Sequence, residues 1–411
     1  MNLVAWQPPV LQTIRFGTAD SQNAITSIAS DPSGVYTAGF VGYENVTPSY
    51  LFVTKYGLDG HEIWTQHFGE PYYSDIGAIT VGANGVYVTG YISFSSTNES
   101  SFVTRYDLNG NQVWTSRFFE NSFGNPISAS SSSTSVYVAG SNGGQYFVNS
   151  YYDNGSLAWT RSFSSNPDRI SVFAASNSVY TAYENATGGG IVQGYDSAWT
   201  LKWTQACTCR PMGITSDGTA LYVVGTVQRA SLVPSDGFLT KYDTNGNQLW
   251  TRRFTPPAGN FALPGVNEVR ISADSSGVYV SETTGDERGV VLKYENSGGQ
   301  DWSLTLPWTT GAIGTLTPFD VITAQPASLY VAGDIRAPSS LAGVAFLASI
   351  SKLSSLVFFG INPPFSFGLL GVLVAAAVVN IVWFIKRWRR KIQYLSPGMN
   401  RRLENIPADI F

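Results

Sequence analysis

The stretch that decides the fold is residues 101–118, SFVTRYDLNGNQVWTSRF. Two runs of alternating apolar and polar side chains flank the turn sequence DLNG, and such alternation is the pattern of half-buried β-strands. Asn-Gly between two runs of this kind is a strong hairpin signature, because both residues tolerate the positive φ angles of tight turns. The stretch therefore predicts two antiparallel strands joined by a short turn.

This hairpin belongs to a longer unit that recurs through the first 353 residues. Each copy is centred on a Val-Tyr or Leu-Tyr pair, and neighbouring copies are 42 to 57 residues apart. The seven anchoring tyrosines are Tyr36, Tyr87, Tyr137, Tyr180, Tyr222, Tyr279 and Tyr330. Four short strand patterns follow one another in each copy. Four antiparallel strands in a repeat of this length are typical of a β-propeller blade.

The fourth-strand motif Trp-Thr-x-x-Phe indicates how the ring closes. The tryptophan is present in six copies, at Trp64, Trp114, Trp159, Trp203, Trp250 and Trp302. The seventh copy has none, but residues 12–17, QTIRFG, match residues 64–69, WTQHFG, with Gln12 in the tryptophan position. The sequence thus predicts an all-β, seven-bladed β-propeller over residues 1–353, with four-stranded blades and an N-terminal strand that closes the last blade. The recurrent tryptophan is expected to pack between neighbouring blades.

The ordered motifs W-T-x-x-F-G, D-x-x-G-x-V-Y-V-x-G and F-V-T-K-Y-D-x-N-G-N resemble the SBBP repeat, a seven-bladed propeller repeat of surface and secreted microbial proteins. They resemble the tryptophan-docked quinoprotein repeat more distantly. The resemblance covers residues 1–353, and copies four and seven depart from it most. It implies a propeller fold and an extracellular setting. It implies little chemistry, because the family has no assigned shared reaction.

A long uncharged stretch follows the repeats. Residues 365–385, FSFGLLGVLVAAAVVNIVWFI, are long and apolar enough to predict one transmembrane α-helix. The basic cluster at 386–391, KRWRRK, predicts that the C-terminal tail is cytoplasmic. We therefore expect a linker at 354–364, a span at 365–385 in the lipid bilayer, a basic cytoplasmic tail at 386–411 and an extracellular propeller. Residues 1–10 show no signal peptide, so an extracellular propeller implies a start that is truncated or assigned too late, or another export route. A cytoplasmic, tail-anchored propeller is the alternative.

Charge divides the chain in the same way. The residues after 385 carry a net charge of +5 and the rest carry −9, for a total of −4. An acidic body argues against a nucleic-acid partner, which needs a basic surface. Two His and two Cys are too few for a disulfide framework or a zinc site built mainly from sulfur and nitrogen ligands. We expect no metal, no cofactor and no catalytic residue.

The longest predicted loops carry aromatic residues, which partner-binding surfaces favour. These loops join the second strand to the third, and the fourth strand to the next repeat, and they emerge on one face. The candidates for binding a ligand or partner are Tyr43, Tyr50, Tyr72, Tyr73, Tyr91, Phe94, Tyr146, Tyr183, Phe261 and Trp308. Packing of these rings over the central channel is the alternative.

Two further features concern covalent modification. Four Asn-x-Ser/Thr sequons are glycosylation candidates, at Asn45, Asn98, Asn154 and Asn185. Cys207 and Cys209 form a C-x-C pair, for which a labile disulfide and free thiols are equal expectations.

Three functional hypotheses agree with these observations. The first is a membrane-anchored extracellular propeller that acts as a non-enzymatic binding or scaffolding module for a cell-surface protein or a glycan. The second is a propeller-based enzyme or a quinone-dependent or metal-dependent redox protein. The third is a structural component of the cell envelope.

Overall fold

The computed structural model describes residues 10–16, 21–43, 46–69, 73–95, 98–120, 124–164, 169–175, 177–227, 236–254, 266–284, 289–306, 315–316, 320–325, 328–336 and 343–352. The chain divides after Lys352 into two units, and all of the described residues belong to the first.

The described residues form strands that recur in sets of four. The first strands are β2 (Ser21–Asp31), β6 (Tyr73–Gly82), β10 (Gly124–Ser131), β14 (Ile170–Ala174), β18 (Arg210–Ser216), β22 (Val266–Asp274) and the pair β26 (Thr315–Leu316) and β27 (Asp320–Gln325). The second strands are β3 (Gly34–Tyr43), β7 (Gly85–Ser95), β11 (Ser135–Asn142), β15 (Ser178–Glu184), β19 (Leu221–Val227), β23 (Gly277–Thr284) and β28 (Ser328–Arg336).

The remaining strands complete the seven repeats. The third strands are β4 (Val46–Tyr56), β8 (Asn98–Tyr106), β12 (Gln145–Tyr152), β16 (Gly190–Asp196), β20 (Asp236–Tyr242), β24 (Gly289–Tyr294) and β29 (Gly343–Ser351). The fourth strands are β5 (Glu62–Phe68), β9 (Gln112–Phe118), β13 (Leu157–Ser164), β17 (Leu201–Cys207), β21 (Gln248–Phe254), β25 (Gln300–Thr305) and, for the seventh repeat, β1 (Val10–Phe16).

The strand pairing corrects the expectation of seven separate four-stranded blades. The described strands form six sheets, five with four strands and one with nine, so the all-β propeller has six blades when blades are counted as hydrogen-bonded sheets. A parallel bridge between Gln22 of β2 and Gly343 of β29 joins the first and seventh repeats into the nine-stranded sheet. The sequence repeats predict groups of four strands. They do not predict a backbone bridge that joins two such groups into one sheet.

The expected transmembrane helix is also corrected. The described residues form strands and turns without a helix, and so they contain none that is long and apolar enough to cross a membrane. The linker 354–364, the predicted span 365–385 and the tail 386–411 lie outside the described residues. The architecture that the structure supports is an all-β propeller.

The N-terminal strand β1 pairs antiparallel with β29, as the motif match at Gln12 indicates. Gln12 lies opposite Ser349, the same register that the tryptophan takes in the other repeats. The first and seventh repeats also share a packed core, and the Tyr330 hydroxyl donates to the Leu58 carbonyl at 2.8 Å. The two ends of the repeat array are therefore joined by backbone pairing and by side-chain packing.

Burial along the strands varies with their position in the sheets. The fourth strands alternate between exposed and half-buried residues, as in β9 and β17. Second strands such as β7 and β19 are buried almost continuously instead. Both faces of these strands are covered because neighbouring sheets stack against them, which is why their apolar runs do not alternate.

Neighbouring repeats are held together by the tryptophan of the fourth strand. Trp114 of repeat two lies against Gly155 in the hairpin turn of repeat three, and its indole N–H donates to the Asp153 carbonyl at 2.8 Å. Equivalent bonds of 3.0 to 3.1 Å run from Trp64, Trp203 and Trp250 to the carbonyls of Leu108, Thr244 and Asn296. The prediction that the recurrent tryptophan packs between neighbouring repeats is confirmed at these four positions.

A β-bulge directly before each tryptophan aims its ring at the next repeat. The pairing of the third and fourth strands slips by one residue at this point in all six repeats that carry the tryptophan. Bulges bend a strand and redirect its side chains. The extra residue is left on the outside, and Ile63, Val113 and Leu249 at these positions are each about half exposed.

Removal of residues 1–16 is expected to destabilise the propeller, because it removes β1 and uncovers the edge of β29. At about 1 kcal/mol net for each hydrogen bond, the loss is about 3 to 6 kcal/mol of unfolding free energy. Urea unfolding followed by tryptophan fluorescence measures it. Removal of residues 1–9, which precede Val10 at the start of β1, serves as the control and is expected to preserve most of the stability. An unchanged urea midpoint after removal of residues 1–16 contradicts the closure.

Substitutions at two glycines of repeat five distinguish the effect of the tryptophan contact from that of backbone strain. Gly218 and Gly246 have φ angles of +87° and +86°, but a Cβ would meet nothing within 4 Å at Gly218 and the Trp203 ring at 2.5 Å at Gly246. Gly218→Ala is expected to cost about 1 to 2 kcal/mol, from the left-handed backbone alone. Gly246→Ala is expected to cost about 1 to 3 kcal/mol more, because the methyl group displaces the indole. Equal losses in urea unfolding would show that the ring contact is unimportant.

Candidate functional site

The predicted binding loops are largely strands. The segment from Phe40 to Tyr50 consists of the end of β3 and the start of β4, joined by residues 44–45. The corresponding segment of repeat two is likewise formed by β7 and β8, joined by residues 96–97. The strand pairs therefore continue further than the turn-rich sequence indicates, and less of this face is loop than expected.

Two of the aromatic candidates are part of the core. Tyr146 is fully buried, its hydroxyl contacts the Arg169 carbonyl, and its ring centroid lies 5.6 Å from that of Tyr183. Tyr183 is 9% exposed and donates its hydroxyl to Gln193 Oε1 at 3.0 Å. Both rings fill the space between repeats three and four. Neither is therefore on the surface where we expected a partner, because stacking of the sheets covers both.

The other candidates have different positions. Tyr50 is 45% exposed, and Tyr91 and Phe94 are half-buried on β7. Tyr43 ends β3 and Tyr73 begins β6. Tyr72, Phe261 and Trp308 lie outside the described residues. Of these candidates, Phe94 contacts Arg117, which lines a cavity.

That cavity is a groove of about 650 Å³ between the first and second repeats, which we call the 1–2 groove. It is lined by Phe68, Gly69, Ile92, Phe102, Thr104, Gln112, Thr115, Ser116, Arg117 and Glu120. The rings of Phe68 and Phe102 meet edge to face with centroids 5.7 Å apart, and they form an apolar floor with Ile92. The hydroxyls of Thr104 and Thr115 are 2.9 Å apart on the wall.

Charged groups stand at the mouth of the 1–2 groove. Arg117 and Glu120 are both exposed, and the Arg117 guanidinium lies 4.8 Å from the centre of the Phe94 ring. A cation over an aromatic face is attracted by the ring's quadrupole, so this contact orients the guanidinium. The groove thus combines an apolar floor, hydroxyl walls and an oriented cation. We did not predict its floor residues, because each is an ordinary strand residue and only the neighbouring repeat makes them line a cavity.

The modification candidates are distributed over several elements. Asn98 begins β8, Asn154 and Asn185 lie in turns, and Asn45 is outside the described residues. Cys207 and Cys209 are joined by a disulfide, with their Cα atoms 5.2 Å apart. The bridge lies where β17 passes into β18 with only two residues between them.

A glycine three residues after the anchoring tyrosine marks where the first strand bulges. In repeats one, two, three and five, a Cβ at this glycine would lie 1.9 to 2.2 Å from a first-strand carbonyl, at Gly39, Gly90, Gly140 and Gly225. Each pairs next to a one-residue slip in the first strand. Repeat four has no slip and carries Tyr183 at this position. In repeat six the slip lies two residues further along β23, and Glu282 stands in place of the glycine.

Glu282 is a buried carboxyl in this exceptional position. It is 2% exposed, and its Oε2 atom has no hydrogen-bond partner in the part of the chain that the structure describes. Burial raises the pKa of Glu282 to about 8, because the charged form loses its hydration. Within the described ranges, no three His, Cys, Asp or Glu side chains come together as metal ligands would.

These features define a β-propeller with grooves between its repeats, and comparison with solved structures agrees on the fold. The Swd1 β-propeller domain of Myceliophteria thermophila shares 11% identity at a TM-score of 0.51, covering 84% of this chain and 100% of that one. The WD40 domain of Toxoplasma gondii coronin shares 9% at 0.51, covering 85% and 89%. Raptor of Chaetomium thermophilum shares 10% at 0.54, with 85% of this chain but only 29% of Raptor covered.

Likeness at such low identity concerns the fold alone. No protein-family model matches the sequence, and no curated protein matches it either.

Glu282 is expected to make stability depend on pH. Between its ordinary value of 4.5 and about 8, the carboxyl is protonated in the folded state and ionised in the unfolded chain. The folded state then holds an extra proton, so unfolding free energy falls as pH rises through this window, by up to about 1.4 kcal/mol per pH unit. Glu282→Gln removes the titrating carboxyl. The unfolding free energy of the variant, relative to that of the wild type, is therefore expected to increase from pH 5 to pH 8.

Urea unfolding at several pH values measures this difference. Glu62→Gln, at an exposed position, is the matched control for the change from glutamate to glutamine. A Glu282→Gln difference that is constant across the range would contradict the buried, protonated state.

Proposed function

We propose that this protein is a non-enzymatic scaffold whose propeller binds a protein partner in the 1–2 groove. The observation that carries the proposal is the combination of an apolar floor with an oriented, exposed cation in one cavity. Binding sites in proteins are typically concave and combine apolar surface with polar groups that orient the ligand. Arginine and aromatic residues are also those that dominate protein–protein binding energy.

The edge of the neighbouring sheet adds a second attraction for a peptide. β9 is the outermost strand of its sheet, with β8 on its inner side. Its residues Gln112, Thr115, Ser116 and Arg117 line the 1–2 groove. An extended segment can add main-chain hydrogen bonds to such an edge while one of its side chains enters the groove. The partner segment is therefore expected to be extended, with an aromatic or large aliphatic residue for the Phe68 floor.

An extracellular position of the propeller is part of this proposal. The Cys207–Cys209 disulfide supports it, because disulfides persist in oxidising compartments and are rare in the reducing cytosol. The repeat motifs support kinship with the SBBP-repeat proteins of microbial surfaces.

Site-directed crosslinking in the native cell tests the binding site. A photoreactive phenylalanine analogue at Gln112, which is exposed at the groove, is expected to form an adduct with a protein partner. The same analogue at Gln248, the equivalent first residue of β21, is the control and is expected to form none with that partner. Adding Arg117→Glu to the Gln112 crosslinker is expected to lower the adduct at least about tenfold, as a loss of about 1.4 kcal/mol of binding energy would.

Arg253→Glu is the matched control for charge reversal, because Arg253 is exposed at the same repeat position on β21. It is expected to leave the Gln112 adduct unchanged. Equal adducts from Gln112 and Gln248, or an adduct that survives Arg117→Glu, would rule out the 1–2 groove as the binding site.

A further inference from the structure

A second cavity lies between repeats two and three. This cleft, which we call the 2–3 cleft, measures about 860 Å³. Val113 and Trp114 of β9 line one side, and Tyr152, Asp153 and Asn154 of the next repeat line the other. Val113 and Tyr152 are 50% and 54% exposed. The cleft therefore presents an aliphatic and an aromatic side chain to solvent next to a sequon asparagine.

In the hairpin turn of repeat three, Tyr152 occupies a position that other repeats fill with an aspartate. In repeats two, four and five the equivalent residue is an aspartate whose carboxylate accepts backbone N–H groups of its own turn, at Asp107, Asp196 and Asp243. In repeat three Asn154 does this instead, since its Oδ1 accepts the Ser156 N–H at 3.0 Å. The Tyr152 side chain is thereby released from the turn.

The backbone of this turn is held firmly against repeat two. The Asp153 carbonyl accepts the Trp114 indole N–H at 2.8 Å, and its carboxylate pairs with Arg105 at 3.0 Å. The Tyr87 hydroxyl donates to the same carboxylate at 2.8 Å. Asn154 follows directly and is exposed. Its position relative to the 2–3 cleft is therefore fixed by three contacts on its neighbour.

The Asn154 side chain has the arrangement that an N-glycosylation sequon needs. Its Oδ1 accepts hydrogen bonds from the Ser156 N–H and from the Ser156 hydroxyl, the latter at 2.7 Å. No residue in the described ranges accepts a hydrogen bond from its Nδ2 nitrogen. The serine hydroxyl of the sequon thus polarises the amide while the nitrogen stays accessible.

The other two described sequons lack an accessible amide with an exposed aromatic ring beside it. At Asn98 the sequon serine, Ser100, is 4% exposed and donates to the Ser101 carbonyl. Asn185 accepts the same two hydrogen bonds, from the Thr187 N–H at 3.0 Å and from the Thr187 hydroxyl at 2.8 Å, but it is half-buried. The aromatic residue two positions before it, Tyr183, belongs to the core. At Asn154 the aromatic residue two positions before is the exposed Tyr152. Of the described sequons, Asn154 is the one with an accessible amide and an exposed ring beside it.

We propose that Asn154 carries an N-linked glycan whose innermost sugars lie in the 2–3 cleft over Tyr152. The apolar C–H face of a sugar ring fits an exposed aromatic ring and the aliphatic Val113, and hydroxyls of Ser133 and Thr134 line the same cleft. The donor is a polyprenyl phosphate or pyrophosphate that carries the oligosaccharide, and a transferase of the host cell is the catalyst.

Attachment is a simple exchange at one carbon atom. The Asn154 Nδ2 atom forms a bond to the anomeric carbon of the first sugar, and the bond from that carbon to the phosphate oxygen breaks. The lipid phosphate leaves with the bonding electron pair, and one amide proton passes to a base of the transferase. No atom changes its oxidation state.

Glycopeptide mass spectrometry of the full chain from its native cell tests the attachment. Asn154 is expected to be more fully occupied than Asn98 or Asn185. Ser156→Ala is expected to abolish the modification at Asn154 and Ser156→Thr to retain it. An Asn154 peptide without sugar in the native protein overturns the proposal.

Nitration with tetranitromethane tests where the sugars lie. Asn154→Gln removes the glycan and is expected to increase nitration of Tyr152 several-fold, while nitration of Tyr50, which is similarly exposed, stays the same. A glycan at Asn154 with equal nitration of Tyr152 in both proteins would also overturn the proposal. Asn154→Gln is expected to leave the crosslink at Gln112 unchanged, so this proposal and the binding function fail separately.

Discussion

The contact between a fourth-strand tryptophan and the hairpin turn of the next repeat is the interaction on which this structure depends. It combines an indole hydrogen bond to a turn carbonyl with ring packing on a glycine in the left-handed region, as for Trp203 on Gly246. The bulge before the tryptophan aims the ring, and the Asp-x-Asn-Gly turn supplies the flat surface that receives it. One motif therefore specifies both the fold of a repeat and its attachment to a neighbour.

The departures from this contact are informative. Between repeats three and four, Trp199 takes the place of the glycine with a φ of 60°, and its ring stacks on Tyr195 at 4.2 Å and meets Trp159 at 4.6 Å. The Trp199 ring thus fills the junction between these two repeats. Trp302 is 4% exposed, and its indole nitrogen has no partner among the described residues. Its neighbour is the seventh repeat, whose third strand β29 and fourth strand β1 are not consecutive in the chain, so that no hairpin turn joins them.

Local sequence patterns predicted most of the strands, the recurrent tryptophan contact and the pairing of Gln12 with the last repeat, because each depends on a short motif. The bridge between Gln22 and Gly343 was beyond prediction, since it depends on how two distant repeats meet. The burial of Tyr146 was missed for a similar reason. Its surroundings come from the next repeat. The position of Glu282 could have been noticed, because it interrupts a series of glycines three residues after the anchoring tyrosines.

The two surfaces proposed for function lie where neighbouring repeats pack against each other. Fourth-strand residues line both the 1–2 groove and the 2–3 cleft, together with residues of a neighbouring repeat. Individual substitutions such as Tyr152 for the usual turn aspartate then make neighbouring clefts chemically different. The residues that recur in each repeat therefore determine the fold, and the residues that differ between repeats give each cleft its own chemistry.

Hydrogen exchange of the indole N–H groups, followed by NMR on protein with ¹⁵N-labelled tryptophan, tests the central role of docking most directly. The indole protons of Trp64, Trp114, Trp203 and Trp250 are predicted to exchange only when the propeller opens, with rates that rise with urea as global unfolding does. If these protons exchange as fast as those of an exposed indole, at rates that do not change with urea, the central role of the tryptophan contact is contradicted.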